Sequence, residues 1–305
     1  MLDYGNTSQH VNGSAPAFGQ DTSVRFLLQP FKALLDDPDV NEICVNRPGE
    51  VYCERNSVWE RHEMPLLDFA HCRSLSVAVA NYASNEISEA HPILSAVLPD
   101  GERIQVIFPP ACERATISIT IRKPSRRIIT LDDFSRQGFF DYVKPVSHGL
   151  TDEERELGEL LEQKHYLDFL IQAIKARKVI VFAGETGSGK TTFMKGLMQH
   201  VPLHERIVTI EDVPELFLPH HRNHVHLFYP SEARNDSPVN SQKLLKCTLR
   251  MKPDRIMLAE LRAAVFDVNR FHRAHQGVLV RTMALRMISI LCMQAVRATL
   301  RSFPA

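Results

Sequence analysis

Gly184-Glu185-Thr186-Gly187-Ser188-Gly189-Lys190-Thr191 fits the pattern GxxxxGK[ST], and the fold is read outward from it. On its N-terminal side Val179-Ile180-Val181-Phe182 is apolar throughout, as a parallel strand covered on both faces requires. On its C-terminal side Thr192–Gln199 reads as a helix. In a strand–turn–helix setting the glycines let backbone N–H groups curl around phosphates, and the helix N-terminus adds a partial positive charge. Gly184, Glu185, Thr186, Gly187, Ser188, Gly189, Lys190, Thr191 and Thr192 are therefore expected to cradle ATP. Lys190 is expected to reach the β- and γ-phosphates, and the Thr191 hydroxyl to hold Mg²⁺. The competing reading, a glycine-rich turn that binds nothing, accounts for the pattern but not for its context.

Two more buried strands are expected downstream, Arg206–Glu211 and Arg255–Ala259. In an open parallel sheet, ligands sit beyond the carboxyl ends of the strands, which puts Glu211 and Glu260 toward the nucleotide. Glu260 is read as a group that holds Mg²⁺ through water or orients the attacking water, and Glu211 as one that polarises it. As helix caps or surface charges they would be unremarkable; beside a P-loop the catalytic reading is preferred. The run His220-His221-Arg222-Asn223-His224-Val225-His226 does not read as a metal site. No cysteine or acidic residue lies close in sequence, and Pro219 and Pro230 oppose the helix that HxxxH needs. It is expected to be a solvated loop.

The front of the chain reads as α+β. Val40–Val45 and Val51–Glu54 form a hairpin about Pro48-Gly49, and a helix begins near Asp68 with Leu75, Val79 and Tyr82 on one face. Strands follow at Leu94–Leu98, Arg103–Phe108 and Ala115–Arg122. The alternation in Thr116–Ile121 predicts a half-buried strand. The resulting plan is a disordered tail (1–20), an α+β N-terminal domain (21–135), a polar linker (136–160), a P-loop domain (161–262) and a tail (263–305).

Acidic and basic residues number 36 each, so charge gives no reason to expect nucleic acid as a partner. Six cysteines without a CxxC pair argue against a disulfide framework or a zinc site and fit a reducing compartment. Residues 1–20 lack the basic flank and apolar core of a signal peptide, and no apolar run approaches a membrane span. A cytoplasmic protein, bound to membrane only through partners, is expected.

Together, Gly184–Thr191, the block Thr209-Ile210-Glu211-Asp212-Val213-Pro214-Glu215-Leu216, and Leu249–Arg262 resemble the Walker A, Asp-box and Walker B motifs of secretion traffic ATPases. The likeness is to the VirB-type ATPases of type IV secretion systems. In the front half Asn46–Val51, Pro92–Ala96, Leu98–Arg103 and Ile119–Pro124 agree with it. The resemblance implies α/β architecture, with a RecA-like P-loop domain, cut short, preceded by a smaller α+β domain. It also implies a homo-hexameric, Mg²⁺-dependent ATPase beside the inner-membrane components of the system, driving channel or pilus assembly and export of DNA or protein. No sequence-specific nucleic-acid binding is implied. Arg103 and Arg122 stand where such families supply arginines from the N-terminal domain to the nucleotide. A type II secretion or pilus-retraction motor is the related alternative, but the four-cysteine zinc motif of the type II branch is missing.

After Arg262 the motifs stop. Ala263-Ala264-Val265-Phe266 replaces the expected Gly-Gly-Glu-type turn, and Phe271-His272-Arg273-Ala274-His275-Gln276 lacks the neighbours of a His box. Residues 263–305 carry six arginines, one acidic residue and no lysine. A shift of reading frame near codon 263 explains this junction better than a divergent basic helix over 280–300. The alternative function that follows is a nucleotide-binding but hydrolysis-defective, truncated family member.

Overall fold

The computed structural model describes residues 21–125, 128–143, 149–182, 184–185, 187–233 and 236–259. Both expected tails, together with Thr186 and Glu260, lie outside the described residues.

Helices α1 (Thr22–Leu27) and α2 (Lys32–Asp36) lead into the hairpin β1 (Val40–Arg47), β2 (Glu50–Arg55) and its neighbour β3 (Val58–Glu63). Helix α3 (Phe69–Tyr82) follows, its N-terminus capped by the Asp68 carboxylate accepting from the His71 amide at 2.7 Å. Strands β4 (Ile93–Val97), β5 (Arg103–Ile107) and β6 (Ser118–Arg122) complete a six-stranded antiparallel sheet of order β3-β2-β1-β6-β5-β4.

Because strand side chains alternate, the register assigns each residue a face. Ile43, Val45, Val51, Cys53, Ile104, Val106, Ile119 and Ile121 join α3 residues Cys72, Leu75 and Val79 in one buried cluster. The opposite face carries Glu42, Cys44, Asn46, Gln105, Ser118 and Thr120. The alternation predicted this second face of β6 to be wet, yet all of these are buried. The reason is tertiary: the second half of the chain covers that face. Ile107 packs in a cluster with Val208, Ile210, Val225 and Leu227, and Cys112 bridges to Leu227.

The stretch expected to be a linker contains α5 (Asp152–Glu162), which follows α4 (Leu131–Arg136). Thr151 and Glu154 close a capping box at the start of α5, and Leu157 packs with Phe169, Leu170 and Ile174 of α6 (Tyr166–Lys175). Helix α7 (Lys190–Met198) follows the glycine-rich turn. Strands β7 (Ile207–Glu211), β8 (His224–Phe228) and β9 (Arg255–Leu258), with α8 (Ser241–Thr248) between the last two, form a parallel sheet of order β8-β7-β9.

Two expectations change here. Val179–Phe182 makes no ladder with any described strand and is half-buried. Its apolar run is used for packing instead: Ile180 and Phe182 lie against the α6–α7 core, Phe182 edge-on to Phe193 at 5.5 Å. The histidine tract is not a solvated loop. His224–Phe228 is β8, and His221 and His226 are buried. Polar residues are drawn inside there because partners meet them: the His221 Nε2 stands 3.0 Å from the Val201 carbonyl.

Candidate functional site

The P-loop backbone has the shape its glycines permit. Gly187 (φ +79) and Gly189 (φ +82) are left-handed, a region costly for side-chain-bearing residues, and Gly189 caps α7. Gly184 is needed for space: a Cβ there would come within 2.7 Å of the Ser188 Oγ. Lys190 is the first residue of α7, and its ammonium donates to the carbonyls of Gly184 (3.0 Å) and Glu185 (2.8 Å). Thr191 is half-buried and Thr192 exposed on the same first turn. Loop, helix start and lysine are thus brought together as one unit, shaped to receive an anion on backbone N–H groups.

Glu211 stands at the carboxyl end of its strand, where the sequence reading put it. It ends β7 and is fully buried. One oxygen accepts from Thr209 Oγ1 (2.6 Å) and faces His226 Nδ1 (2.9 Å); the other accepts the amides of Glu215 and Leu216, both at 2.8 Å. Burial alone would raise its pKa. The hydrogen bonds from His226, the Leu216 amide, Thr209 and the Glu215 amide outweigh that and hold the carboxyl below its ordinary value. In this geometry its two oxygens tie the 212–216 turn to β7 and to His226 on β8. His226 and Thr209 were missed by sequence reasoning. Thr209 lies two residues before Glu211 on the same face of β7, and His226 joins them because β7 and β8 pair in register with Thr209 opposite His226.

Arg103 and Arg122 are directly opposed on β5 and β6, on the sheet face that the second half covers. Both are exposed. Arg122 pairs with Glu42 at 3.3 Å, and no described hydrogen bond or ion pair joins either arginine to the P-loop. Two like charges directly opposite each other repel, and on Arg122 the Glu42 carboxylate offsets part of that repulsion.

The junction between the halves holds a residue that no motif pointed to. Arg206 is completely buried. Its Nη1 donates to Asn46 Oδ1 and Asn223 Oδ1, each at 2.6 Å, and its Nε to the Met251 carbonyl at 2.9 Å. The guanidinium lies 5.6 Å from the Trp59 ring centroid, and the Trp59 Nε1 donates to Asp254 at 3.0 Å. Lys252 pairs with Glu54 at 2.8 Å.

Fold and site together define a P-loop protein with an α+β sheet packed on its nucleotide-binding half. The Type II/IV secretion system protein family matches residues 28–268, and this chain belongs to that family, among its VirB11-type secretion ATPases. It is 55% identical over 259 residues to the Type IV secretion system protein VirB11 of Brucella suis biovar 1, covering 84% of this chain and 72% of that protein. It is 41% identical over 295 residues to PtlH of Bordetella pertussis, covering 93% of this chain and 85% of that protein. The crystal structure of the VirB11 ATPase from the Brucella suis type IV secretion system in complex with sulphate superposes with a TM-score of 0.78 at 54% identity, covering 84% of this chain and 73% of that one. The family match passes residue 262, and the PtlH match covers more of the chain than residues 1–262 make up. Similarity therefore does not end at Arg262 as the motifs suggested. Among the described residues no helix is long and apolar enough to cross a membrane.

Proposed function

We propose that this chain is a Mg²⁺-dependent P-loop ATPase that works as a homo-hexamer against the inner-membrane components of a type IV secretion system. It is held there peripherally, from the cytoplasm, and its turnover powers channel or pilus assembly and the export of DNA or protein. The observation that carries the enzymatic part is the left-handed Gly187–Gly189 turn capping a helix that begins with Lys190.

In this reading the backbone of 184–189 and the start of α7 bind the phosphates, with Thr192 at the rim. On ATP binding Lys190 exchanges the Gly184 and Glu185 carbonyls for β- and γ-phosphate oxygens, a swap of neutral acceptors for charged ones that favours the bound state. Thr191 and Glu260 would hold the metal, which neutralises phosphate charge during transfer. The residues present fit that role, since the Thr191 hydroxyl sits one position after the phosphate lysine. Arg103 and Arg122 add positive charge from the N-terminal sheet, and Glu211 positions the 212–216 turn. The nucleotide pocket lies between an N-terminal domain at 21–135 and the P-loop domain at 161–262 in this reading.

ATP hydrolysis by the purified chain, measured with and without Mg²⁺ beside nucleotide binding, tests this. Metal-dependent turnover that Lys190→Ala abolishes is expected. Tight binding without turnover would instead establish the hydrolysis-defective reading, which no observation on the site favours.

A further inference from the structure

Among the described residues, one group of metal-type donors lies outside the P-loop half: Cys53 on β2 with Glu60 and His62 on β3. No spacing rule joins them, because strand pairing does the work. Cys53 is the direct cross-strand partner of Glu60, and His62, two residues on, shares the same sheet face. The Cys53 Sγ is 3.2 Å from His62 Nε2 and 3.8 Å from Glu60 Oε2, and those two atoms are 3.6 Å apart.

We propose that Cys53, Glu60 and His62 form a binding site for one zinc-class divalent cation at the edge of the N-terminal sheet. Three ligands at zinc's bond lengths of about 2.0–2.3 Å, in a tetrahedron, stand about 3.3–3.6 Å from one another, close to the triangle found here. A thiolate, an imidazole and a carboxylate are a ligand set suited to zinc rather than to the oxygen-seeking Mg²⁺ expected at the P-loop. Cys53 closes the inner side and is fully buried, whereas His62 and Glu60 are 35% and 39% exposed, leaving the fourth position toward solvent.

The surroundings support the ligands. The Arg55 Nε donates to both Glu60 oxygens (3.1 and 3.2 Å), which fixes the orientation of the carboxylate. That arginine is also paired with Asp37, so its charge is met elsewhere. Thiolate plus carboxylate then balance a divalent ion. The ion would staple the outermost strand to β2, at the edge where a sheet is most exposed to stray pairing.

Cobalt(II) titration of the full chain without nucleotide tests the site, since only a thiolate ligand gives a sulfur-to-metal charge-transfer band. One equivalent showing that band and tetrahedral visible absorption, displaced by zinc, is expected. Cys53→Ser should abolish the band and Cys72→Ser should keep it. Glu60→Gln and His62→Gln, at partly exposed positions that do not endanger the fold, should each weaken binding by more than about tenfold. A missing band, a band that survives Cys53→Ser, or an affinity untouched by both surface substitutions would overturn the proposal.

Discussion

At the residue scale, Gly184 illustrates how a motif position is fixed by space rather than by chemistry. A methyl group there would come within 2.7 Å of Ser188 Oγ, so the serine side chain would have to swing out of the loop to admit it. Gly184→Ala is expected to reduce nucleotide affinity by more than about tenfold, about 1.4 kcal/mol, while leaving the melting temperature nearly unchanged; equilibrium nucleotide binding checks it. Two titrating groups give opposite pH slopes. Burial raises the Glu42 carboxyl, despite its Arg122 partner, to about 7. Its folded pKa exceeds the ordinary 4.5, so its stabilising contribution is complete below 4.5 and lost as pH rises through 7. Burial also lowers His224 to about 4 from an ordinary 6.5, so its contribution is complete above 6.5 and lost as pH falls toward 4. Glu42→Gln should therefore flatten the fall in stability between about pH 4.5 and 7, by at most about 3 kcal/mol, as followed by denaturant unfolding.

At the scale of elements, the P-loop half is held by caps and cross-strand pairs that can be tested singly. The Asn240 side chain accepts from the Lys243 amide at 2.9 Å and starts α8, whose Leu244 and Cys247 pack in the cluster between the halves. Asn240→Ala should cost about 1 kcal/mol of stability, measured as a shift in the unfolding midpoint without change in its slope. Glu211 is the anchor between β7 and the 212–216 turn. Glu211→Ala would leave the Glu215 and Leu216 amides and Thr209 without their acceptor, a loss expected to exceed about 2 kcal/mol and to depress turnover through disorder of that turn. Were Glu211 instead a base acting on water, Glu211→Gln would abolish turnover while keeping the wild-type melting temperature.

For the molecule as a whole, the decisive contact is the seat of Arg206. Its guanidinium bonds one residue of the N-terminal sheet and two of the P-loop half, and lies over Trp59. Arg206→Ala should cost about 3 kcal/mol or more, since it leaves Asn46, Asn223 and the Met251 carbonyl buried with their charged donor gone. Separate melting of the two halves in calorimetry is the expected signature. Arg206→Lys should recover little, because a single ammonium cannot reproduce a planar fork reaching three acceptors.

Much of this was legible in the linear chain. Gly184–Thr191 announced its loop because glycine and lysine positions there answer to backbone conformation and phosphate geometry, which are local. The turn at Pro48-Gly49 and the helix after Asp68 were readable for the same reason: a few neighbours determine them. What could not be read arises where distant segments meet. Ser118 and Thr120 became buried because another half of the chain lies on them, and Val179–Phe182 was half-covered by helices rather than paired in a ladder. Glu211 lost its freedom to His226, Cys53 found Glu60 and His62, and Arg206 found Asn46, all through register or docking. Sequence by itself determined the P-loop, its helix and the family's motifs, because local sterics and periodicity suffice for them. Only the tertiary structure decided which polar groups are buried and with whom, because a buried charge or hydrogen bond is set by the partner that replaces water, and that partner is far away along the chain.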